Sequence, residues 1–466
     1  MNHYVHIGLE MHCELSTQSK MFSHAPAKTI KEPNSCVDLL DFGFPGTLPT
    51  VNKKAVEYGL LICDLLHCEI DKNLRFDRKN YTYADLPKGY QITQQNHPLG
   101  KNGHYLVHGN KIHIQKVHLE EDTAKMIHKQ DQTYIDFNRC GYPLVEIVTD
   151  ASINRPDIAC EYVRSLVLDL IYLQVTEGKM ENGNIRCDVN VSVTKNPDSL
   201  GSKVEIKNIN SISNMKRALD HEIKRQSELL DQGIEISEQT RRYDETSKTT
   251  VLLRKKETAR DYRYLPEPNI PVIHLDESWI RSIRENRPML PDELILMLND
   301  QYGLSFQQAE QLVSQKELTD FFLKVIKYTD RYLDVFSFLM GDIRSWMKEN
   351  HREILDQDPK VLGDLICKMD SKLSRQDVRT CIIPYLEHRS IDALIEKLES
   401  AKMDDLSLNL LIDQVLKENQ KSVADYKNGR DRALGYLVGQ VMKCSKGRSD
   451  PKIVHDILLK RLEEAV

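Results

Sequence analysis

Val5-His-Ile-Gly-Leu-Glu-Met-His-Cys-Glu-Leu-Ser16 alternates in polarity without a fault. Val5, Ile7, Leu9, Met11, Cys13 and Leu15 fall on one side of an extended chain, and His6, Gly8, Glu10, His12, Glu14 and Ser16 on the other. Successive side chains of a strand point to opposite faces, so the stretch reads as a strand with an apolar back and a polar front. Glu10 and His12 project from that front ~7 Å apart, within reach of one metal ion or one phosphate. Glu-x-His alone is a weak motif, and its meaning depends on what faces it.

Ile112 to Val148 supplies the facing groups. Glu146 lies inside Leu144-Val-Glu-Ile-Val148, and a carboxylate in an apolar run must be paired, hydrogen-bonded or bound to a metal. An arginine partner would satisfy it, and so would a metal ion shared with Glu10 and His12. Upstream, His118-Leu-Glu-Glu-Asp122 places Val117, Leu119 and Glu121 on one face and His118 and Glu120 on the other. Only one of Glu120 and Glu121 therefore meets Glu10 and His12, and alternation alone does not decide which.

The same pattern recurs downstream. Cys187, Val189, Val191 and Val193 alternate with Arg186, Asp188, Asn190 and Ser192, and Lys203-Val-Glu-Ile-Lys207 puts Glu205 and Lys207 on one face. Several strands thus share an apolar back and a face of acids, amides and cations. Helical spacing over 54–66, over 156–173 with Pro156 at the first position, and over 213–230 with Gly233 as the stop predicts helices covering that back. Between strands, Phe76 to Gln91 sets Arg78, Lys79 and Lys88 among Tyr81, Tyr83 and Tyr90 on a Gly- and Pro-punctuated loop, a composition suited to phosphate with aromatics to stack or exclude water. Arg241 to Pro268 is basic and turn-rich. Beyond about residue 290 alternation gives way to amphipathic helical spacing, ending in a helix over 453–462 opened by Asp450 and Pro451.

Composition narrows the class. The 466 residues carry a net charge of −6, and residues 421–466 hold ten Lys or Arg against six Asp or Glu, so the tail is +4 and the rest −10. A basic tail on an acidic body suits a nucleic-acid contact, and a solvated helix face gives the same count. Ten cysteines without a Cys-x-x-Cys pair argue for buried free thiols rather than a zinc knuckle or disulfide framework. No apolar run reaches the ~20 residues that span a bilayer, and the opening residues lack a secretory pattern, so a cytoplasmic protein without membrane attachment is expected. Phosphate-binding P-loop, dinucleotide-binding and nucleophile-elbow motifs are missing from the sequence. Carboxylates with a histidine suit Mg²⁺ or Mn²⁺, which also bind nucleotide phosphates, and nearby cations suit a transferring phosphoryl group. ATP-dependent phosphoryl transfer is the reading; a metal-dependent phosphodiesterase and a noncatalytic RNA-binding scaffold are its rivals.

Gly8-Leu-Glu-Met-His12, Phe44-Pro-Gly-Thr-Leu-Pro49, Phe76-Asp-Arg-Lys-Asn-Tyr81, Asp85-Leu-Pro-Lys-Gly-Tyr-Gln91, His118-Leu-Glu-Glu-Asp122, Arg186-Cys-Asp-Val-Asn190, Glu205-Ile-Lys-Asn208, Asp261-Tyr-Arg-Tyr264 and Gly435-Tyr-Leu-Val-Gly-Gln-Val-Met-Lys443 stand in order along nearly the whole chain. Together they resemble the GatB family, the B subunits of the bacterial aspartyl/glutamyl-tRNA(Asn/Gln) amidotransferases. Two departures, Ala84 where that family has proline and Glu181-Asn-Gly-Asn184 where it is more acidic, fall beside the proposed front.

The resemblance implies an α+β fold. A glutamine-synthetase-like catalytic cradle over 1–290, with a largely antiparallel polar-faced sheet backed by helices, would precede a helical domain over 291–406 and a YqeY-like, tRNA-docking tail over 407–466. It implies an ATP-dependent carbon–nitrogen ligase that phosphorylates the side-chain carboxylate of Glu-tRNA(Gln) or Asp-tRNA(Asn) and amidates it with ammonia from glutamine. Expected cofactors are ATP and Mg²⁺ or Mn²⁺. Expected partners are the glutaminase and the small bracing protein of the same heterotrimer, the mischarged tRNA(Gln) or tRNA(Asn), and the cognate non-discriminating aminoacyl-tRNA synthetase.

Metal positions carry over to Glu10, His12, Glu121 and Glu146, with Glu120 as second choice. Arg78, Lys79, Tyr81, Lys88, Arg186, Asp188, Glu205 and Lys207 are catalytic candidates, and Tyr83, Tyr90, Gln91 and Asn190 nucleotide-binding ones. Lys427, Arg430, Arg432, Lys443, Lys446 and Arg448 surround a helix whose Gly435 and Gly439 leave a smooth stripe for an RNA backbone.

Overall fold

The computed structural model describes residues 3–28, 30, 32–255, 262–352, 354, 356–369, 372–400, 405–427, 429–445, 449 and 451–464. Contacts cluster into two units, Met1–Pro291 and Asp292–Val466. The first unit holds the strands β1 (Tyr4–Glu14), β2 (Glu69–Ile70), β3 (Asn73–Leu74), β4 (Asp77–Asn80), β5 (Tyr90–Thr93), β6 (Gly100–Val107), β7 (Asn110–Glu121), β8 (Lys125–Lys129), β9 (Gln132–Asp136), β10 (Pro143–Thr149), β11 (Ile185–Thr194), β12 (Val204–Lys207), β13 (Gln239–Asp244), β14 (Thr249–Lys255), β15 (Leu265–Pro266) and β16 (Ile273–His274). Its helices are α1 (Lys53–Leu65), α2 (Pro156–Tyr172), α3 (Ile212–Asp231) and α4 (Glu277–Glu285).

Nine strands form one sheet in the order β14-β13-β12-β11-β1-β10-β7-β6-β2, antiparallel except where β12 runs parallel to β13. The alternation of β1 sets its layering. Ile7, Leu9, Met11 and Cys13 are fully buried against the helices, and each such large apolar side chain contributes ~1.5–3 kcal/mol by leaving water. From α2 come Ala159, Tyr162, Val163, Leu166 and Leu170; from α3 come Met215, Ala218 and Leu219. Helix boundaries follow local chemistry. Asn52 caps α1 by accepting from the Lys54 and Ala55 amides, Pro156 opens α2, and Ser211 caps α3 through the Asn214 amide. Gly233 follows α3 at φ +74°, in the left-handed region glycine tolerates best.

Two features tie the turn-rich 38–49 segment to this core. Lys20, fully buried, donates to Asp41 at 2.8 Å, and Ser23 donates to the other Asp41 oxygen at 3.0 Å. Gly43, at φ +70°, runs so close to the Pro87–Lys88 backbone that a Cβ there would sit 3.0 Å from it.

The second unit is helical, with α5 (Pro291–Tyr302) opening at the boundary, then α6 (Phe306–Val313), α7 (Lys316–Val325), α8 (Tyr332–Phe338), a π-helical turn (Leu339–Ile343), α9 (Arg344–Asn350), α10 (Pro359–Cys367), α11 (Arg375–Leu386), α12 (Asp392–Ser400), α13 (Asp405–Glu418), α14 (Gln420–Lys427), α15 (Arg432–Cys444) and α16 (Pro451–Glu464). Ile412, Leu437, Val441, Val454 and Leu458 form a separate apolar cluster among the last of these. The chain is thus a mixed α+β protein with a large, mostly antiparallel sheet and a helical C-terminal region. No described helix is long and apolar enough to cross a membrane. The cysteines are free thiols; Cys367 and Cys444 are exposed and Cys68 half-buried, which corrects the expectation that the thiols are buried.

Candidate active site

Strand register assembles the site. His118 pairs across β7–β10 with Glu146, Glu146 across β10–β1 with His12, and His12 across β1–β11 with Arg186, so four charged groups form one row on the polar front. Glu120, two residues along β7 from His118, joins them on the same face. His118 Nε2 lies 2.9 Å from Glu146 Oε2 and 3.5 Å from Glu120 Oε2. His12 Nε2 lies 3.3 Å from Glu120 Oε1 and 4.0 Å from Glu146 Oε1. Thr93 donates to Glu120 at 3.3 Å.

Burial disfavours charge on His12, His118, Glu120 and Glu146, but the pairings outweigh it. Burial would lower the His12 pKa, yet the hydrogen bond and charge of Glu120, with Glu146 behind, raise it from 6.5 to about 8. His118 is raised in the same way. Against burial, the two imidazoles hold Glu120 well below the ordinary carboxylate range and hold Glu146 below it as well. One ligand atom each from His12, Glu120 and Glu146 lies within 4.8 Å of the others. One imidazole and two carboxylates are a donor set that fits Mg²⁺ or Mn²⁺.

Glu121, the first choice on resemblance, points elsewhere because adjacent strand residues face opposite ways. Its carboxylate meets Lys88 Nζ at 2.5 Å and accepts from the Ile92 amide at 3.0 Å, and both side chains of the Lys88–Glu121 pair are less than 5% exposed (4% and 3%). Glu10 accepts from the Asn190 amide group at 2.8 Å, two residues along β1 from His12. The structure therefore brings His12, Glu120 and Glu146 together and gives Glu10 and Glu121 separate partners.

The predicted cations divide similarly. Arg78 makes a two-pronged pair with buried Glu267 at 2.6 and 3.0 Å and stacks 4.0 Å from the centroid of Tyr90. Arg186 shares Asp122 with Arg139, at 2.7 and 2.5 Å. Lys207 bridges Asp188 at 2.5 Å and Glu205 at 2.8 Å, and Thr240 donates to Glu205 at 3.0 Å. Gln91 donates to the Glu121 backbone carbonyl at 2.7 Å, and Tyr83 is 58% exposed. Lys79 has no carboxylate partner among the described residues. Its amine stands 4.8 Å from the Tyr262 ring centroid and 5.8 Å from that of Tyr81.

His118, Tyr262 and Tyr264 were not among the sequence-derived candidates. His118 was legible as sharing the face of Glu120. The tyrosines come from 262–264, which the Tyr262 and Arg263 carbonyls anchor to Asn80 at 2.9 and 2.7 Å, a contact no local pattern announces. Burial, then Tyr262, Glu120 and Glu146, push the Tyr264 hydroxyl up to about 12. Burial and the carboxylates Asp85, Glu120 and Glu121 likewise raise Tyr81, so both phenols stay neutral.

Two cavities open along the front. One of about 980 Å³ lies at the Glu14 end and is lined by Thr17, Lys28, Arg139, Asn182 and Asn184 among others. One of about 240 Å³ lies at the Gly8–Glu10 end, with Asn190, Ser192 and Lys203. His12 stands between these ends of β1.

Residues 5–281, more than half of the chain, match the family model described as the GatB/GatE catalytic domain. The chain belongs to the GatB family. Residues 320–462 match a second model, the GatB domain. The chain is 38% identical over 475 residues to the B subunit of the aspartyl/glutamyl-tRNA(Asn/Gln) amidotransferase of Mycoplasma capricolum, covering 99% of each. It is similar at the same 38% to the corresponding B subunits of Bacillus licheniformis, over 478 residues and 100% of each, and of Staphylococcus aureus, over 468 residues and 98% of each. In this GatB-family chain the catalytic-domain match takes in His12, Glu120 and Glu146, whereas the tail cations fall in the second match. Lys427 ends α14, Arg430 pairs with Asp425 at 2.9 Å, and Arg432 and Lys443 lie exposed at either end of α15. Lys446 and Arg448, like Asp450, lie outside the described residues.

Proposed function

We propose that ATP phosphorylates the side-chain carboxylate of Glu-tRNA(Gln) or Asp-tRNA(Asn) on this polar front, and that ammonia then displaces phosphate to leave Gln-tRNA(Gln) or Asn-tRNA(Asn). The observation that carries the proposal is the convergence of His12, Glu120 and Glu146 between two cavities, in a chain whose relatives are named tRNA amidotransferase subunits. A carboxylate is a poor acyl donor until one of its oxygens becomes a leaving group. In the first step that oxygen bonds to the γ-phosphorus of ATP and the bond to the β-phosphate oxygen breaks, releasing ADP. In the second, ammonia attacks the acyl carbon, a proton passes to solvent, and phosphate departs with the former carboxylate oxygen.

His12, Glu120 and Glu146 are the residues that would hold a divalent cation, which when bound supplies positive charge to the transferring phosphoryl group. Lys79 supplies a second cation from within its frame of Tyr81 and Tyr262, and the neutral phenols of Tyr81 and Tyr264 keep water from the acyl phosphate. On this reading Glu121 and Lys88 position the β5–β7 contact, and Arg78, locked to Glu267, holds the 262–267 segment over the site.

The sheet and its helices then serve as a glutamine-synthetase-like cradle, followed by a helical domain to about 406 and a tRNA-docking tail from 407. Ammonia comes from glutamine through a separate glutaminase, braced by a small third protein, in a cytoplasmic heterotrimer served by the cognate synthetase. The relatives' designation as B subunits supports such an assembly. The test is α-labelled ATP given with Glu-tRNA(Gln), uncharged tRNA(Gln) or neither. ADP release that depends on the aminoacyl group is expected; release indifferent to it, or phosphodiester cleavage without ATP, would overturn the proposal.

A further inference from the structure

Two helix irregularities face one cavity in the second unit. The π-helical turn at Leu339–Ile343 inserts a residue into the helical ladder between α8 and α9, a distortion frequent at functional sites. Across from it, Pro384 sits inside α11 and has no N–H to give the carbonyl of Thr380, one turn earlier. Between them lies a cavity of about 470 Å³ lined by Asp342, Ser345, Trp346, Gln376, Arg379 and Thr380 among others.

Its chemistry is that of a planar, polar-edged ligand. Trp346, half-buried, offers a ring, with Arg352 6.0 Å from its centroid. Ile383, on α11 across the cavity, is 51% exposed, so that wall is apolar and open. Arg379 uses its Nε on both oxygens of Asp342, at 3.1 Å each, which neutralises that acid. Gln376, Ser345 and Thr380 add donors and acceptors around the ring. Glu349 also lines the cavity, and exposed Arg352 beside the Trp346 ring is the cation that the structure places next to it. An aromatic platform with polar edges and a neighbouring cation is what an unstacked base and its phosphate need.

We propose that this cavity receives an unstacked base of the bound tRNA, its ring against Trp346 and its phosphate toward Arg352. The proposal rests on the reading above that tRNA is the substrate, and it adds a base contact in the helical region, separate from the tail cations.

Trp346 is one of two tryptophans in the chain, so Trp279→Phe leaves it as the sole indole. Titrating that variant with a tRNA(Gln) transcript should quench Trp346 emission along the binding isotherm. Trp346→Ala should weaken tRNA binding about tenfold, within the range measured for loss of one base–aromatic stack, with an unchanged salt slope because no phosphate contact is lost. Trp346→Phe should stay close to the parent. Unaltered emission on saturation with tRNA, or equal affinity of Trp346→Ala and the parent, would overturn the inference while leaving the proposed amidation standing. If the parent binds no tRNA, both fall.

Discussion

Glu121→Gln keeps the shape of the side chain and removes its charge, and its effect separates two adjacent glutamates that sequence alone could not tell apart. Lys88 is 4% exposed and has Glu121 as its carboxylate partner at 2.5 Å. Burial would lower the lysine's pKa, and the charge and hydrogen bond of Glu121 overcome it. Removing one member of such a pair strands a buried charge and costs ~3–5 kcal/mol. With a urea dependence of ~3 kcal/mol/M, the unfolding midpoint should fall by ~1–1.7 M. The assay follows Trp279, which belongs to the first unit, after Trp346→Phe has removed the other indole. Lys88→Met combined with Glu121→Met should recover most of the loss, since two apolar groups of similar volume replace the pair. Glu120→Gln should cost less, on the order of 1–3 kcal/mol, because His118 keeps Glu146 and His12 is 25% exposed and can shed its proton to solvent. A Glu121→Gln midpoint within about 0.3 M of the parent, or a larger drop for Glu120→Gln, would refute this division of roles.

The same placement predicts that Glu120→Gln, Glu146→Gln or His12→Ala abolishes amide formation while tRNA affinity stays near the parent value, measured by product analysis and filter binding. Full activity in all three would remove them from the reaction. Glu222, fully buried, is pushed up by burial but held lower by Arg225, Gln226 and Thr250, so its stabilisation is full above the ordinary carboxylate pKa and disappears as pH falls through the depressed one. Glu222→Gln should therefore lower the melting temperature at pH 7, and the difference should shrink as pH falls below the ordinary carboxylate range; a difference that stays constant with acidification would contradict the assignment. At Gly103 a Cβ would meet Cys68 Sγ and the Leu66 carbonyl at 2.5 Å each, so Gly103→Ala should destabilise by ~1–3 kcal/mol in the same urea assay. Deleting residues from 407 should raise the tRNA Michaelis constant and flatten its salt dependence by ~0.7–0.9 per lost phosphate contact; an unchanged slope in a folded truncation would end the tail's docking role.

Much of the fold was legible because β1 alternates and α1, α2 and α3 carry local signals: helical spacing over 54–66, a first-position Pro156, a stop at Gly233. The polar front was legible for the same reason, since period two assigns every residue of β1, β7 and β11 to a side. What resisted was pairing at long range. Arg78 reads as a free phosphate ligand until Glu267, 189 residues later, closes on it. Lys88 reads likewise until Glu121 is seen to face it. The choice between Glu120 and Glu121 depends on which side of β7 receives β5, and no local pattern encodes that. The 262–264 tyrosines and the cavity at the π-turn depend on segments meeting through tertiary contacts alone.

If the side-chain carboxylate itself attacks ATP, its oxygen must leave with the phosphate, and tracing that oxygen tests the chemistry most directly. Glu-tRNA(Gln) bearing ¹⁸O in both side-chain carboxylate oxygens is incubated with the protein, ATP and ammonium, and the phosphate released with each amide is weighed by mass spectrometry. One ¹⁸O per phosphate is predicted, because the oxygen that attacks the γ-phosphorus departs with it. Unlabelled phosphate alongside full amide formation would show that water, not the carboxylate, received the phosphoryl group, and would contradict the account.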